Sequence, residues 1–279
     1  MSNEQKNGAL VLVGTPIGNL GDFSPRAKDA LESCDFIAAE DTRVTLKLLN
    51  HFGIKKPLIS YYQHNMNGRS DEICDRIESG EVCCLVTDAG MPAISDPGEQ
   101  LVDMCNERGI KVLCVPGPSA VVTALAMSGL PTGRFCFEGF LSVSGKSRRE
   151  HLSQIQDERR TMVFYEAPHK LLNTLRDLLQ SLGDRRIALA RELTKLHEEV
   201  IRTTLFQAVA FYEENPARGE FVIIIEGAKP QEEEQVDLQS AAKIARGLMD
   251  DGMAASAAAK EAARQTGHKK SEIYKLLAE

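Results

Sequence analysis

Short apolar runs, each stopped by a cluster of Gly, Pro, Ser or charged residues, recur along the chain. Ala9-Leu10-Val11-Leu12-Val13, Phe36-Ile37-Ala38-Ala39, Pro57-Leu58-Ile59-Ser60, Val82-Cys83-Cys84-Leu85-Val86 and Val112-Leu113-Cys114-Val115 have strand length and composition. Helical patterns separate them: Pro25 to about Ser33, Thr45 to His51, Ser70 to Ser79, Glu99 to Arg108 and Ala120 to Met127. Ser24 is a good N-cap, and Pro25 suits the first helical position. Strand and helix in alternation predict an α/β layer with parallel strands. Gly129-Leu130-Pro131-Thr132-Gly133 breaks the pattern. A second α/β pattern follows, with strands at Phe135–Glu138, Thr161–Tyr165, Arg186–Ala190 and Phe221–Ile225 and a helix from His169 to about Leu182. Gly227 to Val236 is polar and acidic and reads as a linker. Three helices end the chain, Leu238–Met249, Ala254–Thr266 and Lys270–Leu277, with the short turn Gly267-His268 at helix-turn-helix spacing. The expected domains are therefore 1–131, 132–227 and 228–279.

The loop from Thr87 to Gly98 organises the first pattern. It follows an apolar strand and opens a helix, and it holds Gly, Pro and Asp residues. Gly lets a ligand approach the backbone, Pro stiffens the path, and Asp accepts hydrogen bonds. A plain connector needs only about two to six residues. Gly14-Thr15-Pro16-Ile17-Gly18-Asn19-Leu20-Gly21-Asp22 and Pro116-Gly117-Pro118-Ser119-Ala120 are similar loops after two other strands. Ligands of open α/β sheets bind at the carboxyl edge of the strands, so three such loops predict a trough for a small extended ligand. None spells G-x-G-x-x-G, so the dinucleotide fingerprint is absent. Gly139 to Ser147 misses the P-loop spacing by one residue.

Composition narrows the class. The 279 residues are 43% hydrophobic, which suits a globular chain with more than one core. Met1 to Gly8 is polar and lacks the apolar core of a signal peptide. No apolar run reaches the roughly 18 residues of a membrane span, so a cytoplasmic protein is expected. The seven Cys contain no C-x-x-C pair and read as reduced, mostly buried thiols. His169 and His197 show no ligand spacing, and no metal is expected. The net charge of −7 argues against nucleic acid in the mean, yet phosphate binding depends on local patches.

Charged groups follow several strands. Glu40-Asp41-Thr42-Arg43 offers either site chemistry or an N-cap. Glu166-Ala167-Pro168-His169-Lys170 and Arg191 to Glu199 stand in similar places. Lys146, Arg148 and Arg149 form a basic cluster, read either as a solvated face or as phosphate contacts. Lys269 and Lys270 in the tail also carry two readings, nucleic-acid contact or part of a helical cap.

Taken together and in order, Val13–Leu20, Ala39–Arg43, Thr87–Gly98, Pro116–Ala120, Phe164–His169 and Ala190–Glu199 resemble the tetrapyrrole-methylase superfamily, in its branch that methylates ribose 2′-hydroxyls of ribosomal RNA. The resemblance covers almost the whole chain. It implies two α/β domains with S-adenosylmethionine in the cleft between them, and a helix-turn-helix-like tail. It implies a cytidine of the 16S rRNA decoding region, in the small ribosomal subunit, as substrate, and a homodimer. Ser142 departs from the branch, where Pro is usual, and Asp88-Ala89-Gly90-Met91-Pro92 stands where tetrapyrrole methylases carry Gly-Asp-Pro. On this resemblance the cofactor candidates are Pro16, Asp88, Ala89, Gly90, Ile94, Ser119 and Ala120, with Tyr165, Glu220 and Phe221 closing the site from the second domain. Asp41, Glu166 and Lys195 are the catalytic candidates, a carboxylate to take the proton or the ammonium to steady an alkoxide. Lys146, Arg148, Arg149, Lys269 and Lys270 are the RNA-binding candidates. Two other readings stay open: a methylase of a tetrapyrrole or other small molecule, and a nucleic-acid-binding regulator whose body senses a ligand.

Overall fold

The computed structural model describes residues 8–229 and 237–277. The polar start and most of the expected linker lie outside the described residues. The chain forms two compact units, 1–228 and 229–279.

The first unit begins with β1 (Ala9–Val13), α1 (Pro25–Ser33), β2 (Phe36–Ala39), α2 (Thr42–His51), β3 (Leu58–Ser60) and α3 (Met66–Glu78). It continues with β4 (Val82–Val86), α4 (Gly98–Glu107), β5 (Lys111–Val115) and α5 (Ala120–Ser128). The five strands form a parallel sheet in the order β3-β2-β4-β1-β5. This order explains why the three Gly/Pro loops meet: they leave β4, β1 and β5, which are neighbours. Alternate residues of a strand face opposite ways. So Cys83 packs with Leu10, Ile73, Leu101 and Cys105 on one face, while the adjacent Cys84 packs with Leu31, Ile37 and Leu49 on the other. Each fully buried large side chain here is worth roughly 1.5–3 kcal/mol. Ser24 caps α1 as expected, its side chain accepting from the Ala27 N–H at 3.1 Å. Helix α2 starts three residues before the expected Thr45, because Asp41 caps it through the Arg43 N–H at 2.8 Å.

The second sheet is built from β6 (Phe135–Gly139), α6 (Gly145–Ile155), β7 (Thr161–Glu166), α7 (Pro168–Leu182), β8 (Arg186–Arg191), β9 (Glu199–Thr204), α8 (Leu205–Glu214) and β10 (Phe221–Ile225). Its order is β6-β7-β10-β8-β9. Strand β10 runs antiparallel to both neighbours, and Phe221 pairs with Glu166 on one side and Arg191 on the other. The residue before β10 therefore shares an edge with the residues after β7 and β8. Val121, Ala124 and Leu125 of α5 pack against Val163, Ala188, Val222 and Ile224 of this sheet. That helix carries the first pattern onto the second, which is why it is apolar nearly all round.

The second unit holds α9 (Leu238–Asp250), α10 (Ala255–Thr266) and α11 (Lys270–Leu277). Ala241, Ala245, Ala258, Ala259, Ala262 and Ile273 form its core. Gly267 ends α10 in the left-handed conformation at φ 73°. Among the described residues no helix is long and apolar enough to cross a membrane.

Candidate functional site

The three loops of the first sheet lock onto one another through backbone. The Thr15 N–H donates to the Gly90 carbonyl at 2.9 Å, and the Gly90 N–H returns a bond to Thr15 at 3.1 Å. A Cβ on Gly14 would lie 2.7 Å from the Gly117 Cα, so the first and third loops touch where only glycine fits. In the middle loop Ala93 (φ 66°) and Ser95 (φ 63°) are left-handed without being glycine. Such residues cost about 1–3 kcal/mol each and persist only where neighbours over-determine them. Asp96 is the brace: its Oδ1 accepts the Ala93 N–H at 3.0 Å and the Gly98 N–H at 2.8 Å.

The second sheet contributes a facing loop with the same character. Glu192 (φ 49°) and Thr194 (φ 64°) are left-handed. Glu192 Oε1 accepts from Lys195 Nζ at 3.0 Å and from the Glu220 N–H at 2.9 Å, and Lys195 Nζ also reaches Glu220 Oε2 at 2.9 Å. Burial works against the Lys195 ammonium, but its bonds to Glu220 and Glu192 outweigh it and hold the pKa above the usual lysine range. Lys195 is therefore a fixed cation. The two loop systems meet at Gly18, where a Cβ would lie 2.5 Å from Lys195 Cγ.

Between them lies a cavity of about 370 Å³. Of the cofactor candidates, Asp88, Ala89, Gly90, Ile94, Ser119, Ala120, Tyr165, Glu220 and Phe221 all line it, and so do Glu166 and Lys195. Two candidates are placed elsewhere: Ile17 rather than Pro16, and Glu40 rather than Asp41, form the wall. Phe140 stacks near Tyr165, with ring centroids 5.6 Å apart, and gives the cavity an aromatic lip that the sequence did not single out. A second cavity adjoins the first and shares Glu40, Ser95 and Asp96 with it. Among the described residues no group of three or more His, Cys, Asp or Glu is placed to hold a metal ion.

The carboxylates differ in what they are free to do. Asp41 is gripped by the Arg43 guanidinium at 2.6–3.2 Å, which brings its pKa down to about 2 and makes it a poor proton acceptor. Glu166 is buried, with Oε1 on the Ala167 N–H at 2.8 Å and Oε2 on the Thr174 hydroxyl at 2.5 Å. Asp88 accepts the Asp41 N–H at 3.1 Å, and burial followed by the charge of Glu40 raises its pKa. Asp96 is raised by burial first as well. Glu40, half-buried, accepts the Thr87 hydroxyl at 2.7 Å.

The basic candidates divide in the same way. Lys146 and Arg149 are exposed on α6, Lys146 with Glu150 3.8 Å away. Arg148 turns inward: it bonds Asp177 at 2.6 Å, Thr174 Oγ1 at 2.9 Å and the Ser142 carbonyl at 3.2 Å. Its guanidinium thus fastens α6 to α7 and supports the partner of Glu166. Lys269 and Lys270 are exposed in the second unit, Lys270 donating to Ser256 Oγ at 2.9 Å.

Comparison with known proteins places this architecture. The family described as Tetrapyrrole (Corrin/Porphyrin) Methylases matches residues 9–209. Ribosomal RNA small subunit methyltransferase I of Synechocystis sp. is 47% identical over 270 residues, 96% of this chain and 97% of its own. The protein of the same name from Thermotoga maritima is 48% identical over 220 residues, 79% of this chain and 99% of its own. Among solved structures, uroporphyrin-III C-methyltransferase from Thermus thermophilus complexed with S-adenyl homocysteine superposes with a TM-score of 0.53 at 17% identity, over 78% of this chain and 97% of that one.

Proposed function

The chain belongs to the tetrapyrrole methylase family, and from that premise we propose that it transfers a methyl group from S-adenosylmethionine to a ribose 2′-hydroxyl of a cytidine in the decoding region of 16S rRNA. The observation that carries the reading is the cavity between the two sheets, walled by strained loops of both. Family membership makes the chain an enzyme, so the ligand-sensing regulator falls away. The names of relatives up to 48% identical, against 17% for the tetrapyrrole enzyme, favour ribosomal RNA over a small-molecule acceptor.

The residues fit the methyl donor. Its adenine and amino-acid ends need backbone donors and acceptors, which the Asp88–Gly90 stretch supplies. The N-terminus of α5 adds donors, because Ser119 makes no side-chain capping bond there. Gly90, at φ 87°, keeps the wall thin, since a Cβ there would lie 3.4 Å from Ile17. Tyr165, Phe221 and Phe140 supply apolar surface on the opposite side. The donor brings a methyl already activated by its sulfonium, so the protein's task is to orient the acceptor and manage one proton. Holding the reacting atoms about 3–3.5 Å apart supplies several kcal/mol by itself. Lys195, a fixed cation already shared between Glu192 and Glu220, chiefly holds the cavity wall in shape for the donor and adds only a modest steadying of negative charge on the acceptor oxygen. Exposed basic groups outside the cavity would hold RNA phosphates. The reading includes a cytoplasmic homodimer, which sedimentation equilibrium checks.

The test is methyl transfer from labelled donor to purified small subunits, followed by mapping of the modified nucleotide. Label in the 2′-O position of a decoding-region cytidine is the expected result. Label on another atom or another RNA corrects the acceptor, and transfer only to a tetrapyrrole removes the reading.

A further inference from the structure

The cavity that suits the methyl donor is not alone. The second, of about 840 Å³, is bounded by Gln63 after β3 and by Val102, Asp103 and Asn106 along α4. Glu40, Ser95 and Asp96 belong to both walls. Two reactants held in adjoining cavities meet at the wall the cavities share. We propose that the acceptor nucleoside enters through the second cavity and that Glu40, at the shared wall, is the catalytic base for its hydroxyl. The inference rests on the ribose-methylation reading above.

Glu40 is chosen by what the other carboxylates already do. Asp41 is committed to Arg43, and Glu166 uses both oxygens inside the body. Asp96 spends Oδ1 on two backbone N–H groups, and its Oδ2 is enclosed without a partner. Asp88 and Glu220 each spend one oxygen, on the Asp41 N–H and on Lys195, but they line only the donor cavity and not the wall the two cavities share. Glu40 spends only Oε2, on Thr87, and among the described residues no hydrogen bond reaches Oε1. Thr87 is itself fixed, its carbonyl accepting the Thr15 hydroxyl at 3.3 Å. One oxygen anchored by the loops that shape the donor cavity and one left open is the arrangement a proton acceptor needs.

The step balances. The hydroxyl oxygen attacks the methyl carbon, and the O–C bond forms as the S–C bond breaks. The electron pair stays on sulfur, leaving a neutral thioether. The hydroxyl proton passes to Glu40, so one positive and one negative charge vanish together. The remaining lining supports this assignment. Asp96, Glu99 and Asp103 repel phosphate but accept hydrogen bonds from hydroxyl and amino groups. Sugar and base enter, while phosphates stay outside at basic groups.

The experiment measures single-turnover methyl transfer to small subunits by wild type, Glu40→Gln, Glu40→Asp and Asn106→Trp, with donor and subunit affinities measured in parallel. Glu40→Gln is expected to lose on the order of 10²–10⁴ in rate with both affinities within about threefold of wild type. Glu40→Asp should recover at least about tenfold of that loss, as a shorter base would. Asn106→Trp should weaken subunit use and spare donor affinity. Glu40→Gln within about threefold of wild type, or a rate loss matched by lost donor affinity, overturns the base. Unchanged subunit use by Asn106→Trp overturns the entry route. A wild-type protein that labels no small subunit removes the ribose-methylation reading itself, a result distinct from either.

Discussion

Thr15 and Gly90 lie 75 residues apart in the chain and exchange backbone hydrogen bonds of 2.9 and 3.1 Å. This antiparallel bridge joins two loops that leave parallel neighbouring strands, β1 and β4. It turns two flexible connectors into one wall, and Gly90 stands where that wall faces the cavity.

Gly90→Val is the direct test of that wall. A β-branched residue at φ 87° is strained, and its side chain meets Ile17. Donor affinity is expected to fall more than about tenfold, or about 1.4 kcal/mol. Titration calorimetry on the folded variant measures it. An unchanged affinity would take this loop out of donor binding.

The three loops were legible because each begins where an unbroken apolar run stops at Gly and Pro, a purely local signal. The helix start at Ser24-Pro25 was legible for the same reason. Strand β9 and helix α8 were missed. Glu199-Val200-Ile201-Arg202-Thr203-Thr204 is an edge strand whose mixed polarity hides its period, and it is recognised only by pairing with β8. Choosing between Glu40 and Asp41 was beyond the sequence as well. Both are acids at the end of β2, and the difference lies in partners. Asp41 has Arg43 two residues away, whereas Glu40 has Thr87, brought beside it because β2 and β4 are neighbours. The inward turn of Arg148 likewise depends on α7, more than twenty residues further on.

Asp88 predicts a pH dependence. Burial and the nearby Glu40 raise its pKa in the folded state above the ordinary 3.8. A raised carboxyl holds its proton better folded than unfolded. Its contribution to stability is fully present below 3.8 and is lost as pH rises through the folded value. Asp88→Asn keeps the acceptor for the Asp41 N–H and escapes that loss. Because Asp88 is itself exposed, water screens most of that penalty, and the variant should melt only slightly above wild type at neutral pH, by about 1 °C. The gap should close as the pH approaches 3.8. A gap that is constant with pH, or reversed, would show that Asp88 ionises without penalty.

Lys195 shares its charge between Glu192 and Glu220. Lys195→Gln leaves two carboxylates facing each other across the cavity wall and loosens the left-handed loop behind them. Donor affinity should fall by about tenfold, and the transfer rate at saturating donor by no more than about tenfold. Were the rate instead to fall by on the order of 10³ with affinity intact, Lys195 would be the principal stabiliser of the acceptor oxygen.

The polyanionic substrate sets the last prediction, because a chain of net charge −7 must hold RNA through local cations. Lys146 and Arg149 are exposed, whereas the Arg148 side chain is only 17% exposed and committed to Asp177, Thr174 and Ser142. Neutralising Lys146 and Arg149 should therefore flatten the log–log dependence of subunit affinity on salt by about 0.7–0.9 per lost contact. Arg148→Ala should act elsewhere, lowering the melting temperature by roughly 2–8 °C as partly buried bonds are lost and Thr174 is released. The tail is separable from this. The Thermotoga maritima relative matches 79% of this chain with 99% of its own length, so a shorter chain goes under the same name. Ending the protein after Ala228, at the boundary of the first unit, should leave donor affinity unchanged. If Lys269 and Lys270 touch phosphate, the shortened protein also loses subunit affinity and salt slope. Equal slopes for wild type, the double variant and the shortened protein would place RNA contact on neither α6 nor the tail.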